Sequence, residues 1–388
     1  MKHSLALLWL VALFSFLAGI ACPSVGAADA SPCLIYIGTF TNAVSKGIYG
    51  WRMDGANGAL TSLGLVAETP NPTYLAVSPD KKYLYAVNAT ATFEGKPTGS
   101  VSAFAINPAT GQLTLLNQKS SGGPGPCHLT LDRTGRNVLV ANYAGGSIEN
   151  LAVQPDGHLG EPTFFFQDTG KGVNPDRQEG PHAHCMALDP ANHFAFACDL
   201  GVDKVFTYRF DATAGKLSPG QPAYTSVKPG AGPRHFIFNA DARQAYLITE
   251  MGSTIVHFSY DSANGVLNER QTVSLLPADF SGTNKAAEIS LDRSGKFLYG
   301  SNRGHDSIAV FAVDAADGSL TFVQRVSSQG KTPRDFTIDP SGKMLFCANQ
   351  DSDNIIIFNV DPATGKLTPS GRVLACPTPV CVSFVPLP

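Results

Sequence analysis

A chain of 388 residues with only 15% charged side chains and a formal net charge of −3 lacks the basic surplus that nucleic acid or an anionic membrane would demand as partner. Its 38 glycines and 27 prolines are spread along the chain, which indicates many turns and no low-complexity linker. The length suits two average domains or one large repeat architecture.

The N-terminal segment reads as a leader. Lys2 and His3 precede an apolar run over residues 5–20, and small residues follow at Val25, Gly26 and Ala27, the layout of a secretory signal peptide over residues 1–28. The run is too short to span a membrane comfortably, so the expectation is an exported, soluble, periplasmic or secreted protein. Cys22, after residues 19–21, only loosely resembles a lipid-attachment site, and a lipid anchor there is the minor reading. Residues 29–388 then form the mature domain.

Seven cysteines follow the leader: Cys33, Cys127, Cys185, Cys198, Cys347, Cys376 and Cys381. An odd number leaves one unpaired in a monomer, and a chain this large does not need disulfides, so buried small apolar residues are the first expectation. Cys376 and Cys381 could close a short loop, and Cys185 and Cys198 could face each other across a hairpin. No CxxC spacing suggests zinc.

From residue 73 onward one pattern recurs. An alternating strand, a tight Asp/Gly/Asn turn and a second strand appear at 74–88, 128–142, 185–199, 235–250, 288–302 and 335–349. A third strand such as SVSAFAINPATG or NIIIFNVDPATG follows each, and a less regular fourth such as LTLLNQKS. Four antiparallel strands repeated radially make a β-propeller blade. Six units start near residues 73, 127, 184, 234, 287 and 334. A seventh is divided between residues 34–53 and the lone strand 380–384. Pairing the two chain ends completes that blade, so the fold class expected is all-β, a seven-bladed propeller closed by its N- and C-terminal strands.

In this architecture the innermost strand of each blade lines the central channel, and its first residue lies at the same mouth as the end of the second strand. Thr73, Cys127, His184, Arg234, Ala287, Arg334 and Val380 occupy the first position, each followed by Tyr74, His128, Cys185, His235, Glu288, Asp335 or Cys381. Thr39, Asn88, Asn142, Asp199, Thr249, Asn302 and Asn349 end the second strands, with Ala89, Tyr143, Leu200, Glu250, Arg303 and Gln350 just after the last six. Charged residues concentrate in blades four to seven, which points to an anionic ligand and perturbed acid–base groups. The plainer readings are turn capping for Asn88, Asn142 and Asn349, a structural ion pair between Arg334 and Asp335, and surface or packing roles for His158, His193 and His257.

The motifs GPHAH (180–184), DLGVDKV (199–205), GPRHF (232–236), Thr249-Glu250 and SNRGHDSI (301–308), in this order and at blade spacing, resemble the propeller-type lactonase family. That family includes bacterial 6-phosphogluconolactonases and the fungal carboxy-muconate lactonizing enzyme, and the resemblance covers nearly the whole mature chain. It implies a site free of metal and cofactor, built from one histidine, two arginines and a glutamate. Matched by motif, these are His182 or His184, Arg234, Arg303 and Glu250; the repeat register favours His184. His182, Asp199, His235, Glu288, His305, Arg334 and Asn349 are expected around the substrate.

The activity so implied is hydrolysis of a small anionic lactone by a monomer, with Glu250 or His184 as base and Arg234 and Arg303 holding developing negative charge. The export signal departs from the family pattern, since phosphorylated sugar lactones are cytosolic. The alternatives are a muconate-type cycloisomerase, a non-catalytic secreted binding propeller, and a calcium-dependent lactonase using Glu250, Asn302 and Asp199.

Overall fold

The computed structural model describes residues 32–387 except residue 56; the expected leader and Cys22 lie outside the described residues. Twenty-eight strands form seven four-stranded antiparallel sheets, and a short 3-10 turn at Gln350–Ser352 is the one helical element among the described residues. Six sheets take consecutive strands. The seventh has the order Pro379–Pro386, Cys33–Thr39, Gly47–Met53, Leu60–Glu68, so the last strand is innermost in the blade that the first strands build. Its register sets Cys33 opposite Pro386 and Thr39 opposite Pro379. The ring is closed by hydrogen bonds between the two chain ends, which leaves the N-terminal strand paired on both sides.

In four blades the turn of the first hairpin is held by an aspartate, and Asn239 takes that place in a fifth. Asp132 Oδ1 accepts from the amides of Arg136 and Asn137, both at 2.9 Å. Asp189 and Asp339 repeat the arrangement on residues four and five places further on. Gly135 supplies the left-handed turn residue, φ 67°, that a side chain would strain.

The core is seven separate clusters, each shared by neighbouring blades. One joins Phe196 and Cys198 to Phe236 and Leu247, and another joins Ile35 and Trp51 of the closing blade to Phe346 and Ile355. Four fully buried tyrosines fasten blades polar-end first. The hydroxyls of Tyr36, Tyr85, Tyr246 and Tyr299 donate to the carbonyls of Gly111, Gly157, Gly318 and Gly365 at 2.9–3.0 Å.

All seven described cysteines are free thiols. The loop closure considered for Cys376 and Cys381 is not made, because their side chains belong to different clusters. Cys185 and Cys198 do face each other across their hairpin, unbonded.

Candidate active site

A bulge near the head of each innermost strand decides what reaches the channel mouth. Opposite the second strand, the pairing jumps between Pro233 and His235, and the same jump occurs between Pro72 and Tyr74, Pro126 and His128, Ala183 and Cys185, and Pro333 and Asp335. The extra residue breaks strict alternation and re-aims side chains. Arg234 therefore turns to the mouth while His235 sits one layer deeper.

A cavity of about 310 Å³ opens there. Its wall joins two rows of the repeat: Thr73, Cys127, His184 and Arg334 at the heads of innermost strands, and Phe40, Ala89, Tyr143 and Glu250 just after the ends of second strands, with Arg303 the last residue of its own. Arg177 and Lys285 complete the charged lining, so four cations face one carboxylate.

Glu250 is the centre of the arrangement. Its backbone amide donates to Gly232 O at 2.8 Å and its carbonyl accepts from the Ala286 amide at 2.9 Å, fixing the residue between two blades. Arg177 Nη2 donates to Oε1 at 2.6 Å, while Arg303 Nη2 and Arg234 Nε reach Oε2 at 2.7 and 3.3 Å. Burial alone would raise this carboxyl, but Arg303, Arg234 and Arg177 hold it well below the usual carboxylate range. Arg234 is locked further by donating to Ala287 O, and Arg303 by donating to the carbonyls of Lys285 and Ala286.

His184 lies beside this network with Nε2 at 3.9 Å from Glu250 Oε2 and its Nδ1 buried without a partner. Burial, Arg234, His235 and Arg334 push its pKa well below 6.5, so the imidazole is neutral at pH 7. Arg334 stacks over the Phe40 ring at 5.1 Å and forms no ion pair with a described carboxylate. Burial, Arg303 and Arg234 push its pKa down to about 9. The ion pair anticipated with Asp335 is not formed: Asp335 instead accepts from the Val382 amide at 2.6 Å and hydrogen-bonds Glu288.

The remaining residues expected around the substrate lie elsewhere. His182 stacks on Tyr143 and bonds Tyr143 O and Glu179 behind the cavity wall. His235 and Glu288 pair at 2.8 Å in the layer below and border a cavity toward the opposite mouth. His305 bonds Ser307 and packs on Phe280. Asn349 donates to Ser328 O, as Asn88 and Asn142 donate to Pro70 O and Ser121 O, and thus ties adjoining turns. Asp199 accepts from the amides of His182 and Gly201. The three residues named for calcium are engaged separately, Asn302 donating to Leu275 O. The oxygens of Glu250 are taken by guanidinium groups, and no group of three His, Cys, Asp or Glu residues among the described residues could hold a metal ion.

Sequence reasoning missed Arg177. It sits on the connection 168–182, the longest between blades, and carries no repeat register; loop length was the available signal.

The family described as lactonase, 7-bladed beta-propeller, matches residues 34–384. The chain belongs to this lactonase family. It is 39% identical over 301 residues to a 6-phosphogluconolactonase of Bacillus subtilis, covering 78% of this chain and 83% of the relative. A 6-phosphogluconolactonase of Formosa agariphila is 33% identical over 312 residues, with 78% and 85% covered. The solved structure of a periplasmic gluconolactonase from Pseudomonas aeruginosa superposes with a TM-score of 0.86 at 36% identity, covering 92% of this chain and all of that one. Within the lactonase family, then, the channel mouth is where this chain concentrates its charge.

Proposed function

We propose that this lactonase opens the ring of an anionic sugar-type lactone in the cavity around Glu250, without metal or cofactor. The observation that carries the reading is the convergence of Arg177, Arg234 and Arg303 on one carboxylate beside a neutral His184.

Hydrolysis needs a proton acceptor for the attacking water, charge stabilisation at the carbonyl oxygen, and a proton for the departing ring alcohol. Glu250, held far into its ionised form by three guanidiniums, is a poor proton acceptor. Neutral His184 is the better base, takes the proton from water and returns it to the alcohol. Arg303, already at the cavity wall, stabilises the oxyanion. Glu250 sets the guanidinium positions. Arg334 and Lys285, without an ion-pair partner among the described carboxylates, attract the substrate's anionic group. The leader-like residues 1–28 and the periplasmic relative favour an exported protein acting on an unphosphorylated lactone; a monomer suffices, since one ring supplies every residue named.

The test is ring opening by the purified protein across neutral, carboxylated and phosphorylated lactones, with and without chelator. Turnover of anionic lactones that chelator leaves unchanged, and that Arg303→Ala lowers by about 10²–10³, is the expected result. Equal turnover by Arg303→Ala overturns the assignment.

A further inference from the structure

A second set of reactive side chains lies below the lactone cavity, toward the other mouth of the channel. Cys185 and Cys198 are direct partners in the antiparallel register of Ala183–Leu188 and Phe194–Asp199. Directly opposed residues have Cα atoms about 4.5–5.5 Å apart, inside the roughly 4.4–6.8 Å that a disulfide spans. The two free thiols face each other across this pair. Cys185 Sγ is also 3.7 Å from His128 Nε2. It borders a cavity of about 360 Å³, lined by His128, His235 and Glu288 among others, which gives a small molecule a path to this sulfur.

We infer that Cys185 and Cys198 form an oxidisable dithiol site that takes a small hydroperoxide from the lower mouth of the channel and closes a cross-strand disulfide. The Cys185 sulfur attacks one oxygen of the hydroperoxide and the O–O bond breaks. The proton of the Cys185 thiol passes to the departing oxygen, which leaves as water or an alcohol. Cys185 is then a sulfenic acid. The Cys198 sulfur attacks it, the S–O bond breaks, and hydroxide leaves with the Cys198 proton as water. Two thiols are oxidised and one peroxide is reduced.

The environments divide the roles. Burial would raise the Cys185 thiol, but the Cys198 thiol, His128 and His235 hold it well below its ordinary value, as an attacking thiol requires. Burial, reinforced by Cys185, pushes Cys198 well above its own, which suits a resolving thiol. Cys33, Cys127, Cys347, Cys376 and Cys381 are all raised by burial and serve as internal controls.

The experiment starts from fully reduced protein, adds hydrogen peroxide, alkylates remaining thiols at intervals and maps the peptides. The expected result is a 185–198 disulfide forming about tenfold faster than any control thiol is lost. Cys198→Ser should instead leave Cys185 as a sulfenic acid, trapped by a 1,3-dicarbonyl reagent. The inference is overturned if control thiols oxidise first, if Cys185 and Cys198 stay alkylatable, or if Cys198→Ser yields no trapped adduct. The wild-type map decides alone should the serine variant fail to fold, and none of these readings depends on lactone turnover.

Discussion

Arg303 Nη2 lies 2.7 Å from Glu250 Oε2, although 53 residues separate the two and neighbouring blades supply them. Each alone would be an expensive buried charge. Together with Arg177 and Arg234 they form one electrostatic unit, so the site is assembled only when the ring is complete.

That dependence makes Glu250→Gln a test of stability as well as of chemistry. Glutamine leaves three guanidinium groups without their counter-charge, and removing one partner of a buried pair costs about 3–5 kcal/mol. The folded carboxyl is depressed, so its stabilisation is present above the ordinary value of 4.5 and is lost as pH falls through the lower folded value. Thermal melts should show a large gap between wild type and variant at neutral pH that narrows toward about pH 3. A gap independent of pH contradicts the pairing.

Neutral His184 predicts the pH profile of turnover. Its pKa lies well below 6.5, so the acid limb of kcat should fall below that value too. His184→Asn should lower kcat by about 10²–10⁴ with little change in KM. An acid limb unchanged by the substitution assigns the base to another group.

Arg334→Met separates binding from folding. This guanidinium faces the cavity with no described carboxylate opposite, and burial, Arg303 and Arg234 push its pKa down to about 9. Its charge is therefore a cost in the empty site, and methionine should leave the melting temperature unchanged or raise it. With an anionic lactone, KM should rise about tenfold to a hundredfold, as for loss of a hydrogen bond to a charged group. KM for an uncharged lactone should hardly move. Equal losses on both lactones argue against an anion-binding role.

The propeller was legible because its hairpins, turn aspartates and split blade each leave a periodic trace. His184, Arg234, Glu250 and Arg303 were legible for the same reason, since register alone carries them to one mouth. Asp199 and Asn349 were misplaced by a single residue. Side chains alternate along a strand, so Asp199 and Asn349 turn to the adjoining connection while the next position of the register faces the cavity, as Glu250 and Arg303 do. His235 and Glu288 were displaced by the bulge, whose depth the repeat pattern does not reveal. Arg177 comes from a connection outside the repeat and left no register to read.

The asparagine positions of the repeat supply the last prediction. Asn88, Asn142, Asn302 and Asn349 donate an amide hydrogen bond to the turn of the preceding connection, but blade Ala183–Leu188 carries Asp199 there, against Asp168. Both aspartates are buried, and a hydrogen bond between two carboxyls requires a proton. Burial and Asp199 push Asp168 up to about 8. An acid whose folded value is raised binds more protons folded than unfolded, so stability falls as pH climbs from about 4 to 8. Glu149, raised to about 8 by burial, adds a limb of the same sign. Asp199→Asn keeps an oxygen for the His182 and Gly201 amides and offers Asp168 an N–H in place of the shared proton. The variant should melt higher than wild type at pH 8, with the advantage shrinking toward pH 4, where Asp168 in the wild type is protonated. The Glu149 limb remains in both proteins and cancels from the comparison. Parallel melting curves across this range would mean that the two carboxyls do not share a proton.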